Sequence, residues 1–352
     1  MAAVLLVSLA AGGLAGCGAQ GTPHPPRLEI PNPVTDLTAV QVGQALDLQC
    51  TLPQRATDGE RLTKPLEVEL LRALAPSGQG LATLPDPVVW ERLTSTQWRA
   101  HADHNRLYYS AQLAGDEYQR WRGKTLVVEV RTLTYGFRRR ELISGPSNRV
   151  DVAIMDVSPP VTSVRCLAAK HAMNVDFLPP VAMLSGQPLH DVAGYRVYRS
   201  ATGEPGSYEL RGETVVPPFQ DREFEFGQTY FYVVRVAFGE PGHFALSETS
   251  SPVKITPRDI FPPAPPEGLS GIYSAGAVEL VWSASNEPDL AGYNVYRLAG
   301  DAPTRINKEL VRTPVFRDES APAEQPIAYY VTAVDNSGNE SQPSAKEVIE
   351  TK

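Results

Sequence analysis

The strongest constraint on this chain is that it repeats itself. Asp191-Val192-Ala193-Gly194-Tyr195-Arg196-Val197-Tyr198-Arg199 recurs as Asp289-Leu290-Ala291-Gly292-Tyr293-Asn294-Val295-Tyr296-Arg297, identical at seven of nine positions. The register extends outward: Val164, Leu167, Met173, Val175 and Phe177 match Leu269, Ile272, Val278, Leu280 and Trp282 without a gap. Downstream, Phe219-Gln220-Asp221 and Tyr232 match Phe316-Arg317-Asp318 and Tyr329. One fold is therefore present twice, and repetition at this spacing indicates tandem units of a single architecture. A more diverged copy lies upstream, where Leu37, Val40, Leu46, Leu48 and Cys50 keep the same spacing and Ser144-Gly145-Pro146-Ser147 echoes Ser341-Gln342-Pro343-Ser344.

Within each copy the hydrophobic pattern has period two, as in Val278-Glu279-Leu280-Val281-Trp282 and Tyr230-Phe231-Tyr232-Val233-Val234-Arg235-Val236. Alternation of this kind puts every second side chain on one face of a strand. Short alternating strands separated by turns predict antiparallel sandwiches. The 32 prolines cluster at a few places, which suits strand ends and joints better than long helices.

Trp282, the run Gly292-Tyr293-Asn294-Val295-Tyr296-Arg297 and the run from Tyr329 through Ser341 resemble bacterial fibronectin type III domains. The resemblance implies an all-β chain of three tandem antiparallel sandwiches over residues 33–156, 158–257 and 262–350, the first diverged and carrying an insertion before its last strands. Two departures are expected to change packing. Ile327 stands where Tyr230 would pin the corner by a hydroxyl-to-backbone bond, and Cys50 replaces the core tryptophan of the first copy. Ser158-Pro159-Pro160 and Phe261-Pro262-Pro263-Ala264-Pro265-Pro266 open the second and third copies as short, stiff joints.

Residues 2–16 are apolar or small and uncharged, too short a run to span a bilayer comfortably and of the length of a signal-peptide core. The run ends in Leu14-Ala15-Gly16-Cys17, which resembles the bacterial lipobox. That resemblance implies a signal peptide over 1–17, acylation of Cys17, a tether over 18–32 and a lipid-anchored protein of the cell envelope. Gly18 implies an outer-membrane or periplasmic-face location if the host is Gram-negative. No Lys or Arg precedes the apolar run, which departs from the usual signal peptide.

The net charge of −8 resides in the second half, and neither half concentrates the positive charge that nucleic-acid binding needs. No Ser or Cys sits in a Gly-x-Ser-x-Gly elbow, and the chain is expected to be non-catalytic, with no cofactor and no metal. His101-Ala102-Asp103-His104 reads as a solvated loop, and Asp335 through Glu340 as a glycine-containing hairpin turn rather than a calcium loop. Cys50 and Cys166 read as two free thiols.

Two surfaces are candidates for binding an envelope protein or a glycan. Thr134-Tyr135-Gly136-Phe137-Arg138-Arg139-Arg140 is expected to form the tip of the hairpin joining the last two strands of the first copy, and Phe137, Arg138, Arg139 and Arg140 are its candidate contacts. Trp90, Trp98 and Trp121 fall in the inserted part of the same copy, either as core or as an aromatic platform for sugar rings.

Overall fold

A computed structural model describes residues 28–75, 86–240, 243–298 and 302–352. The chain divides into two compact units, Met1–Asp156 with Pro241–Ala245, and Val157–Glu240 with Leu246–Lys352. The segment expected to carry the signal peptide, Cys17 and most of the tether lies outside the described residues.

The first unit is a sandwich. Strands β1 (Thr38–Val42), β2 (Ala45–Thr51), β5 (Ala102–Asp103) and β6 (Arg106–Gln112) form one antiparallel sheet, ordered β1-β2-β6-β5. Strands β3 (Glu67–Ala75), β4 (Val88–Leu93), β7 (Thr125–Tyr135) and β8 (Glu141–Ile143) form the other, ordered β4-β3-β7-β8, with β9 (Val150–Ala153) along the opposite end of β7. Alternation decides the core: Leu46, Leu48 and Cys50 of β2, Val68 and Leu70 of β3, and Val128 and Val130 of β7 are all buried. Two short helices, α1 (Ser95–Arg99) and α2 (Gly115–Trp121), add Trp98 and Tyr118 to the buried residues.

The long stretch between β3 and β7 carries β4, α1, β5, β6 and α2, and β6 pairs with β2 along its whole length, with Leu107 and Ala111 buried. The packed domain begins before residue 33. Glu29 is buried, its carboxylate accepting the Thr63 hydroxyl at 2.6 Å and the Thr63 and Lys64 N–H groups at 2.8 and 3.1 Å. The Thr134 hydroxyl donates to the Glu29 carbonyl at 2.5 Å.

The second unit holds two sandwiches. In the earlier one, β10 (Thr162–Ala169), β11 (Ala172–Leu178) and β14 (Phe219–Asp221) face β12 (Val192–Ser200), β13 (Glu209–Thr214), β15 (Tyr230–Glu240) and β17 (Val253–Ile255); β16 (His243–Leu246) follows β15 in sequence and falls mostly in the first unit. In the later one, β18 (Ser270–Ser274), β19 (Ala277–Val281) and β22 (Val315–Asp318) face β20 (Leu290–Leu298), β21 (Pro303–Arg305), β23 (Pro326–Asp335) and β24 (Glu347–Glu350). First, second and fifth strands against fourth, third, sixth and seventh is a fibronectin type III-like arrangement. Trp282, Tyr293 and Tyr329 lie in the core of the later sandwich, with Ile327 packed among them. In the earlier one the Tyr230 hydroxyl accepts the Glu225 N–H at 3.0 Å, the corner bond that Ile327 cannot form.

The repeated residues have repeated jobs. Tyr232 and Arg199 both donate to Asp221 Oδ2 at 2.8 Å, and Tyr329 and Arg297 both donate to Asp318 Oδ2 at 2.9 Å. Each buried carboxylate thus ties a strand of one sheet to two strands of the other. Gly194 and Gly292 both have φ of +156° at a bulge, and a Cβ on Gly292 would lie 2.8 Å from the Val311 carbonyl oxygen.

A serine pair closes all three copies. Ser144 and Ser147 accept the N–H groups of Thr132 and Val130 on their hydroxyls, while their own N–H groups donate to the carbonyls of the same two residues. Ser247 and Ser250 do this for Val236 and Val234, and Ser341 and Ser344 for Ala333 and Val331. Pro146 and Pro343 between the serines cannot donate to a ladder. The hydroxyls satisfy central-strand donors that an ordinary last strand would otherwise cover.

Candidate functional site

The β7–β8 hairpin presents the basic tip. Leu133, Thr134 and Tyr135 pair with Ile143, Leu142 and Glu141, and the turn closes with the Gly136 N–H donating to the Arg140 carbonyl at 2.7 Å. Arg138 and Arg139 adopt φ of 55° and 61°, a left-handed region that costs a non-glycine residue roughly 1 kcal/mol or more. Phe137 is 82% exposed, and Arg138, Arg139 and Arg140 are exposed beside it. The Arg138 guanidinium lies 5.3 Å from the Phe137 ring and that of Arg139 lies 5.8 Å from Tyr135.

None of these three arginines forms an ion pair among the described residues. Of the nearby carboxylates, Glu141 binds Arg92 at 2.8 Å and Glu67 accepts the Tyr135 hydroxyl at 3.0 Å. Among the described residues the tip thus presents three arginines without an ion pair next to an exposed aromatic ring. It stands at the end of the sandwich where the described chain begins, since Thr134 at the base of the hairpin holds Glu29.

The three tryptophans do not form one platform. Trp98 is buried, and its indole N–H donates to the Leu66 carbonyl at 2.8 Å. Trp90 and Trp121 flank the Arg72 guanidinium at 4.9 and 4.7 Å, and Glu117 grips Arg72 through both carboxylate oxygens at 2.7 and 3.1 Å. Both rings are half-buried and pack on a partly exposed charged pair, apart from Trp98.

Other sequence features resolve simply. His104 is exposed and bonded to Asp103 at 2.7 Å, while His101 packs edge-on against Tyr109. Cys50 and Cys166 are free, and burial pushes each thiol up to about 12, far from the thiolate a nucleophile needs. The Asp335–Asn339 loop is a turn in which the Asp335 carboxylate accepts the Ser337 and Asn339 N–H groups and the Asn339 amide.

Sequence reasoning missed what joins that turn. Asp259 in the linker accepts the Ser337 hydroxyl at 2.9 Å and the Phe261 N–H at 3.1 Å, and carboxylate oxygens of Asp259, Asp289 and Asp335 lie within 4.8 Å of one another. Donors serve the carboxylates of Asp259 and Asp335, and the trio lies at the joint between the two sandwiches. Across the same joint Lys170 pairs with Glu287 at 2.8 Å and its bond holds that carboxyl below its usual range.

No protein-family model matches the chain. Exoglucanase B of Cellulomonas fimi is 34% identical over 167 residues, which is 46% of this chain and 14% of that protein. This chain thus spans a small part of that relative's length. Among solved structures, an Fn3-like protein from Clostridium thermocellum is 29% identical with a TM-score of 0.23, covering 26% of this chain and 94% of that one. The FN1-FN3 domains of chicken CNTN1 are 15% identical with a TM-score of 0.27, covering 92% of this chain and 99% of that one.

Proposed function

We propose that this chain is a lipid-anchored, non-catalytic binding or scaffold protein of the cell envelope, held through Cys17 and acting through the Phe137–Arg140 tip. The observation that carries the reading is the tip itself: three exposed arginines, without an ion pair among the described residues, and an exposed phenylalanine on a hairpin that continues the β7–β8 pairing. Sandwiches of this kind commonly bind through loops at their ends. The anchor rests on the Leu14-Ala15-Gly16-Cys17 sequence. Two or more acyl chains hold stably where a single one is marginal, at about 0.8 kcal/mol per buried methylene.

The test is recovery of bound envelope material on the acylated chain, beside a variant with Phe137, Arg138, Arg139 and Arg140 replaced by Ser. Protein, glycan and lipid are assayed in each eluate. Material retained by the native chain and lost from the variant supports the reading; equal recovery from both contradicts it.

A second reading, carbohydrate association, is supported by the similarity to a protein named as an exoglucanase. Of the three tryptophans of the first sandwich, Trp98 is buried, whereas Trp90 and Trp121 stay half-buried on either side of Arg72. Retention of the chain on insoluble glucan, undiminished in the tip variant, would favour this second reading.

A further inference from the structure

We infer that the Phe137–Arg140 tip docks on an anionic lipid surface, the same membrane to which Cys17 is tied. This deepens the proposed function and, for its membrane-proximal geometry, rests on the anchor at Cys17. Three observations converge. First, the tip pairs one exposed aromatic side chain with three exposed guanidinium groups that form no ion pair among the described residues, the combination that lets an apolar ring enter the headgroup boundary while cations meet lipid phosphates.

Second, the tip and the start of the described chain share one end of the sandwich. The Thr134 hydroxyl, just before the turn, is bonded to the Glu29 carbonyl. Glu29 is in turn fixed by Thr63 and Lys64. From Glu29 back to Cys17 the covalent chain reaches at most about 40 Å, so an acyl group on Cys17 would tether the chain to the bilayer from this end of the sandwich. Third, two adjacent arginines sit at positive φ in a turn that glycine would fill with less strain. The local cost is accepted where the side chains are displayed, and the adjacent carboxylates are occupied by Arg92 and Tyr135 rather than by the tip.

A soluble protein surface with acidic residues is the competing occupant. The lipid surface is favoured because the anchored geometry gives it a high local concentration at the tip, whereas a free partner must compete with it.

The test uses a chain starting at Gly18, which keeps every described residue and carries no acyl group. Its sedimentation is measured with vesicles of phosphatidylcholine alone and of phosphatidylcholine with phosphatidylglycerol. The expected result is binding to the phosphatidylglycerol vesicles, weakened by high salt. The triple variant Arg138→Ser, Arg139→Ser, Arg140→Ser loses about a hundredfold in partitioning, because each basic residue near such a surface contributes about 1 kcal/mol, roughly fivefold. Phe137→Ser alone gives a smaller loss on the same vesicles. Equal binding by native and triple-variant chains, equal binding to neutral vesicles, or competition by inorganic phosphate as effective as by lipid overturns the inference. Matching thermal melts of native and variant chains confirm that the comparison is made between folded proteins. Acylation of Cys17 is read separately by palmitate incorporation in cells, so the anchor and the tip fail independently.

Discussion

Replacing Tyr329 by Phe removes one of the two donors, with Arg297, that hold Asp318 Oδ2 in a site where the carboxylate is 3% exposed. The expected cost is about 1–2 kcal/mol in urea unfolding, with a similar cost for Tyr232→Phe. Asp318 also predicts a pH dependence. Burial pushes its carboxyl up, but bonds from Ser320 and Tyr329 and the charge of Arg297 outweigh that and leave it below its ordinary value of 3.8. A carboxyl lowered in the folded state contributes stability that is fully present above its unfolded value and is lost as pH falls through the folded one. The Asp318→Asn variant should therefore lose less stability between pH 5 and pH 2 than the native chain, by urea titration across that window; an unchanged slope contradicts this. Gly292→Ala should cost about 2 kcal/mol or more, since the new methyl meets the Val311 carbonyl at a φ that side chains avoid. The repeat singled out all of these positions by identity. It did not show that Tyr329 reaches across to Asp318, because nothing in sequence spacing reports which sheet a strand joins. Glu29 and Asp259 were illegible for the same reason: their partners Thr63, Thr134 and Ser337 are distant in sequence and unrepeated.

At the scale of elements, the serine pairs account for the way each copy ends. Ser341→Ala or Ser344→Ala leaves the Ala333 or Val331 N–H buried without its hydroxyl acceptor, at an expected cost of about 1–3 kcal/mol. Hydrogen exchange should accelerate at that amide before it does elsewhere in β23; uniform exchange along the strand would contradict the assignment. The motif was partly legible, since Ser144-Gly145-Pro146-Ser147 and Ser341-Gln342-Pro343-Ser344 stood out, but the equivalent Ser247 and Ser250 flank no proline and passed unnoticed. The β7–β8 tip was legible as a hairpin because Gly136 interrupts an alternating run. Its left-handed arginines were not, because arginine carries no signal for positive φ. Arg139→Gly should stabilise the first sandwich by about 1 kcal/mol in thermal or urea unfolding, and a loss of stability would mean that the turn is held by more than its backbone. The extra length of the first copy was legible as an insertion, but the pairing of β6 with β2 was not, because aromatic residues in that stretch mask the alternation.

For the whole molecule, repetition in the sequence was enough to establish an all-β chain of fibronectin type III-like sandwiches, since period-two alternation recurring in register admits few other folds. Function was far less legible. Fold does not choose among the many roles such sandwiches serve, and the features that distinguish this chain are a short lipobox-like sequence and one basic tip. Among the described residues no helix is long and apolar enough to cross a membrane; the proposed attachment is through Cys17, with the tip proposed as a second contact. The joint inside the second unit belongs to the same scale: Lys170→Ala removes the bond to Glu287 and should reduce the cooperativity with which the two sandwiches melt, seen as a broadened or split calorimetric transition. The most direct test of the central claim is palmitate labelling of the full chain in a bacterial host, followed by envelope fractionation, beside the Cys17→Ser variant. The account predicts label on the native chain, recovery with the membranes, and loss of both in the variant; an unlabelled native chain, or one that fractionates as its variant does, would contradict it.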